Sequence, residues 1–341
     1  MGTKARNVLF AAIAVLFGLS LALGVTEAGL RLDGYVPWRY LGVDPSTPFL
    51  FDPDPVLGWR PKPGTYVVPP KSWVGLPAET TILADGSRQT GSASAAAKET
   101  LFFIGCSFTF GWAVADEDTF AARLQKQFPE VQVKNYGVPG YSTYQSLLRL
   151  EQLLASGRPP QRVLYGYLEG HEFRNVAHPL WTFGLTKYSS RGMVAVPYCT
   201  LDGNDRLVRH PPERYPEWPL KGYLASVTLL EQTWVNLTRL DRTGQAQGVT
   251  DRLLIELVDL CRARGIAFDM VLLNASEGAR EHYAHLLQAV GAPPIDCSHS
   301  LSGDLLNPSE GHPNAKLHAI WADCIATALK TGRRRKPSYF F

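Results

Sequence analysis

Leu101-Phe102-Phe103-Ile104, running into Gly105-Cys106-Ser107-Phe108-Thr109-Phe110-Gly111, is the stretch on which the reading of this chain turns. An apolar run of this length reads as a strand, and the glycine and small polar residues after it mark a sharp turn out of that strand. A serine hydroxyl is a poor nucleophile at neutral pH until an imidazole takes its proton and a carboxylate fixes that imidazole's tautomer. Far downstream the chain carries both groups on one short segment, Glu310-Gly311-His312-Pro313-Asn314. The turn around Ser107 differs from the Gly-x-Ser-x-Gly elbow of the α/β-hydrolases, because Thr109 stands where the second glycine belongs and the serine follows an early strand. That fold is disfavoured.

From residue 100 onward apolar strand patterns alternate with amphipathic helical ones, the signature of a parallel sheet covered on both faces. The pattern predicts strands at 100–104, 131–135, 162–168 and 266–273, and helices near 118–128, 143–157, 222–240, 248–264, 277–290 and 315–330. Ser142 followed by Gln145 forms a capping box, which makes Ser142 a helix cap rather than a second nucleophile. Residues 174–221 break the rhythm with prolines at 179, 197, 211, 212, 216 and 219 and little periodicity, so a long loop excursion is expected there. Its Trp181, Tyr188, Tyr198 and Trp218 are candidates for stacking on a sugar ring or acyl chain, with ordinary loop packing as the alternative for each.

Three segments in order make the chain resemble the SGNH, or GDSL-like, hydrolases over roughly residues 100 to 330. Phe102 through Gly111 is similar to the first block of that family, Asn135-Tyr136-Gly137-Val138-Pro139-Gly140-Tyr141-Ser142 to the second, and Glu310 through Lys316 to the last. The resemblance implies a three-layer α/β/α sandwich of flavodoxin-like type around a mostly parallel sheet. It further implies Ser107 as nucleophile, His312 as base, Glu310 as the orienting acid, and an oxyanion hole built from Ser107, Gly140 and the family's third-block residue. That residue is an asparagine in the family, whereas the third strand here reads Val163 through Glu172 with His171 at the corresponding place. An imidazole N–H also donates to an oxyanion, so His171 is the expected third donor. Glu310 replaces the family's aspartate, and Asp304 is a second candidate orienter.

The flanks carry separate information. Lys4 and Arg6 precede Val8 through Thr26, an uncharged stretch near the length a helix needs to cross a bilayer. An uncleaved anchor is expected over residues 1–32, with a signal peptide cut near Ala22-Leu23-Gly24 as the alternative, and by the positive-inside rule the remainder lies outside the cytoplasm. Residues 33–98, rich in Pro and Gly around Leu57-Gly58-Trp59-Arg60-Pro61, are expected to wrap the domain and pack Trp59 on it, and similar segments precede the domain in membrane-anchored bacterial members of the family that the chain resembles. The hydrolase-like domain then spans 99–332, and Arg333-Arg334-Arg335-Lys336 opens a solvated basic tail over 333–341. Cys199 and Cys297, in loop-like contexts, are the pair that an oxidising compartment would allow to join, while Cys106, Cys261 and Cys324 read as buried thiols.

With 341 residues, 45% hydrophobic content and a net charge of +3, the chain has ample core and no basic stripe interleaved with aromatics, which argues against nucleic acid as a partner. No metal-ligand spacing is present and no cofactor is expected. The expected activity is that of an extracytoplasmic serine esterase, hydrolysing a small-molecule or polysaccharide ester, such as the acetyl groups of an envelope or extracellular glycan. An O-acetyltransferase and a non-catalytic glycan-binding protein on the same fold are the alternatives.

Overall fold

The computed structural model describes residues 2–38, 46, 49–68, 77–157, 159–188, 194–308 and 311–331. In chain order the elements are α1 (Thr3–Leu32), β1 (Phe51–Asp54), β2 (Gly58–Pro61), β3 (Gly64–Val68), β4 (Ala78–Ile82), β5 (Glu99–Gly105), α2 (Ser107–Phe110), α3 (Phe120–Gln127), β6 (Val131–Asn135), α4 (Thr143–Ala155), β7 (Arg162–Leu168), α5 (His171–Asn175) and α6 (Pro179–Tyr188). They continue with β8 (Ala195–Leu201), β9 (Leu207–Arg214), α7 (Ala225–Thr238), α8 (Leu240–Thr243), α9 (Ala246–Arg262), β10 (Ala267–Asn274), α10 (Glu277–Ala289), β11 (Ile295–Asp296) and α11 (Ala315–Thr331).

The central sheet has five strands in the order β11-β10-β7-β5-β6, all parallel. Taken by position in the chain this is the flavodoxin-like order, and its switch point lies between β5 and β7, where open α/β sheets place their sites. Alternation along β5 supplies the layers. Phe102 and Ile104 join the cluster under α4 and α9 through Leu147, Leu150, Leu254 and Leu257, while Leu101 and Phe103 join the one under α3 and α11 through Phe120, Leu124, Leu317 and Trp321. Each such Leu or Phe contributes roughly 2 kcal/mol by leaving water.

The structure departs from the expected loop over 174–221. It contains α6 and an antiparallel hairpin, β8 with β9. Prolines are tolerated there because a two-stranded ribbon has no central strand, and the register shifts between Val196 and Tyr198, at Pro197. The described parts of 33–98 likewise form two short hairpins, β1 with β2 and β3 with β4. Cys297 is bonded to Cys324, not to Cys199, since α11 lies beside the chain leaving β11; Cys199 is buried and free. The tail 333–341 lies outside the described residues.

None of the residues of α1 is buried, and the helix is long and apolar enough to cross a membrane. Its last turns are fastened to the domain. Glu27 accepts hydrogen bonds from the Ala225 and Ser226 amides at the start of α7, and Arg31 donates to the Tyr223 carbonyl.

Two buried cationic or basic groups join the wrapping segment and α11 to this frame. Arg88 is fully buried, donating to the carbonyls of Phe110, Gly111 and Val114 and pairing with Asp116 at 2.8 Å. His318 stacks on Phe120 with ring centroids 5.6 Å apart, and its Nδ1 accepts the Phe120 amide at 3.2 Å. Burial, helped by the charges of Arg88 and Arg123, holds the His318 pKa down to about 3.

Replacing Arg88 by Met is expected to cost about 3 kcal/mol in denaturant unfolding, because it strands three carbonyls and a carboxylate. For His318 the unfolded chain takes up a proton below about pH 6.5 that the folded chain refuses down to about pH 3. Its contribution is therefore complete above 6.5 and is lost at about 1.4 kcal/mol per pH unit as the pH falls. Unfolding curves at pH 7 and pH 5 are expected to show a loss about 2 kcal/mol smaller in His318→Asn than in the parent.

Candidate active site

The turn after β5 is seated by small residues. A side chain at Gly105 or Gly166 would occupy the space of the Thr109 side chain, and a Cβ at Gly137 would lie 2.6 Å from the Phe110 amide nitrogen. Glycine at these positions on β5, β7 and the segment after β6 lets α2 lie directly on the sheet. Asn135 ties the turn down: its amide group donates to the Thr109 carbonyl at 2.9 Å and its carbonyl accepts the Gly137 amide at 3.0 Å. Gly111, at φ 86°, ends the helix in the left-handed conformation that suits glycine. Ser107 is left 6% exposed at the carboxyl end of β5.

His312 comes to it from the far end of the chain. Its loop is held by a bridge between Leu306 and Pro313, by the Asn307 amide donating to the His312 carbonyl at 2.7 Å, and by Asn314, whose amide group donates to the Asp304 and Leu306 carbonyls. His312 Nε2 lies 3.2 Å from Ser107 Oγ, and the rings of Phe108 and Trp112 flank the imidazole. Glu310 lies outside the described residues. Asp304, the other candidate orienter, turns to Lys316 at 2.8 Å instead, and that bond holds its carboxyl below the usual range. Its side chain is 78% exposed, on the solvent side of the loop.

Gly140 follows β6 in the left-handed conformation, φ 84°, with Trp59 and Trp181 packed against its α-carbon. Trp59 donates to the Pro139 carbonyl at 3.0 Å, and the Tyr141 hydroxyl donates back to the Trp59 carbonyl at 2.6 Å. The wrapping segment thus backs the second block. The capping box of Ser142 and Gln145 is formed and starts α4. Among the four aromatics of the excursion, Trp181 reaches this site; Tyr198 stacks on His210, and Trp218 lies against Trp234 on α7. The Tyr188 side chain lies outside the described residues.

His171 opens α5 after β7 and is fully buried. A chain of buried hydrogen bonds leads to it from α4 and α9. Asn175 accepts the Tyr144 amide through Oδ1, so its amino group faces Thr143 and Thr250. Thr143 Oγ1 accepts from Asn175 and shares a hydrogen bond with Tyr165 Oη, 2.7 Å away. Tyr165 Oη in turn lies 2.6 Å from His171 Nδ1, and one hydrogen joins the two. Burial, with the nearby Arg174 charge, pushes the His171 pKa well below 6.5, so the ring is neutral. Nε2 is enclosed and has no hydrogen-bond partner among the described residues.

Sequence reasoning passed over Arg174, Arg88 and Asn135. An arginine in a proline-rich excursion has no pattern that distinguishes it from a solvated one, and Asn135 was visible only as the first residue of its block.

Neither a protein-family model nor a curated protein matches the sequence. Among solved structures the chain is similar to a member of the lipolytic protein G-D-S-L family from Veillonella parvula, at 12% identity and TM-score 0.39, covering 68% of this chain and 96% of that one. It is similar as well to a psychrotrophic esterase from Pseudoalteromonas, at 14% identity and TM-score 0.37, covering 69% and 98%. A catalytic mutant of an acetylxylan esterase from Geobacillus stearothermophilus matches at 13% identity and TM-score 0.37, covering 70% and 95%.

Because the Gly137 contact is with backbone, Gly137→Ala is expected to shift α2 and misplace Ser107. A displacement near 1 Å lowers turnover by about 100-fold. Ester hydrolysis and thermal unfolding measured on the same preparation check this, with loss of rate in a folded protein as the expected result.

Proposed function

We propose that the chain is a serine esterase of SGNH type, anchored by α1 with its domain outside the cytoplasm, acting on acyl esters of a small molecule or polysaccharide. The observation that carries the reading is the 3.2 Å approach of His312 Nε2 to Ser107 Oγ across the whole length of the domain. In the reaction Ser107 Oγ attacks the ester carbonyl while His312 Nε2 takes its proton, and Glu310 is assigned the orienting role. The carbonyl electron pair moves onto oxygen, facing the Ser107 and Gly140 amides, with His171 behind them. Collapse expels the alcohol, which takes the proton from His312, and water then releases the acyl group by the same steps.

The half-buried Trp181 beside Gly140 favours a sugar-borne ester, since aromatic faces stack on pyranose rings. The external location is supported by the exposed apolar α1 behind Lys4 and Arg6, and by the Cys297–Cys324 disulfide, a bond characteristic of oxidising compartments.

Ser107→Ala and His312→Ala are each expected to lower kcat on a p-nitrophenyl acetate probe by about 1,000-fold or more. Fluorophosphonate labelling is expected in the parent and lost in Ser107→Ala. Full rate in either variant sinks the assignment, and an unlabelled parent would favour a non-catalytic, glycan-binding role. Transfer of the acyl group to an added oligosaccharide in preference to water would make the enzyme an acyltransferase.

A further inference from the structure

We propose that Arg174, one turn beyond His171 on α5, supplies the third donor and the positive charge of the oxyanion site; this rests on the acyl-transfer reading above. The asparagine expected at the end of the third block is absent, and His171 in its place is sealed, with no exposed surface and Nδ1 committed to Tyr165. Arg174 is half-buried on α5 and reaches the segment that follows β6. Its Nη1 donates to the carbonyl of Tyr141 at 3.0 Å, next in the chain to Gly140. Its charge is also favoured by the nearby Cys106 thiol, next in the chain to Ser107. The guanidinium carbon sits 4.3 Å from the centre of the Trp181 ring, and a Cβ at Gly140 would lie 3.5 Å from that ring.

A guanidinium has five N–H donors, and no carboxylate pairs with this one among the described residues. Desolvation lowers its pKa, as burial does for any cation taken out of water. When Ser107 Oγ bonds to the carbonyl carbon and the π pair moves onto oxygen, the new anion forms between the residues that Arg174 bridges. The charge is then matched, and it is released when the carbon–alkoxide bond breaks and the carbonyl reforms. Arg174 neither gives nor takes a proton in these steps. His171 acts as a positioning residue, its neutral ring filling the space behind α5 without adding a second positive charge.

The test uses the full chain in detergent with the neutral p-nitrophenyl acetate probe. Removing one oxyanion donor lowers kcat by about 100- to 1,000-fold, so Arg174→Ala is expected to fall in that range with KM changed by no more than about twofold. Arg174→Lys is expected to keep part of the rate. Guanidinium chloride at millimolar concentration is expected to restore part of the activity of Arg174→Ala and none to Ser107→Ala, a response that loss of packing alone would not give. Should Arg174→Ala unfold, Arg174→Gln, which retains a donor for Tyr141 without the charge, carries the same expectation. An unchanged kcat in a folded variant overturns the proposal, as does a rise in KM confined to anionic esters, which would make Arg174 a contact for substrate charge. A parent that fluorophosphonate fails to label would instead defeat the esterase reading itself.

Discussion

The close approach of α2 to the sheet is the constraint from which the rest of the site follows. One turn of helix lies close on three strand ends, because Gly105, Gly137 and Gly166 carry no side chains and leave room for Thr109 and the backbone around it. Asn135 then bonds the turn to β6, and Arg88 bonds its far end to the segment that precedes the sheet. With the turn immobilised from both directions, the position of Ser107 is decided by packing and not by a flexible loop. Its approach to His312 costs little further ordering, since the His312 loop has its own bridge and cap.

Arginine recurs where charge has to be held away from water. Arg88 meets carbonyls and Asp116 and is structurally satisfied. Arg174 meets a carbonyl and an aromatic face, neither of which carries a full negative charge. The contrast separates a guanidinium that closes a structure from one whose compensation is incomplete. Trp59 and Trp181 sharpen the second case, because they exclude water from the Gly140 side and so strengthen any charge interaction formed there.

The sheet was legible because its strands are apolar on both faces and its helices are amphipathic, two local patterns that survive without tertiary knowledge. The expected strands at 131–135 and 162–168 coincide with β6 and β7, and the helix near 315–330 with α11. The excursion was not legible as structure. Prolines argue against central strands, yet β8 and β9 form a ribbon whose outer edges need no partner, and composition alone does not tell the two situations apart. The pairing of Cys297 with Cys324 was hidden for a related reason: a cysteine on an apolar helix reads as a core thiol until the helix is seen lying along β11.

By itself the sequence determined the class of fold, the order of its parts, and which serine and histidine were candidates for one another, since these depend on periodicity and on residue chemistry at turns. Only the tertiary structure brought Ser107 to 3.2 Å from His312, turned Asp304 toward Lys316, enclosed His171 and joined Arg174 to the Tyr141 carbonyl. Those outcomes depend on distances between segments far apart in the chain and on competition for hydrogen-bond partners, neither of which leaves a trace in local sequence.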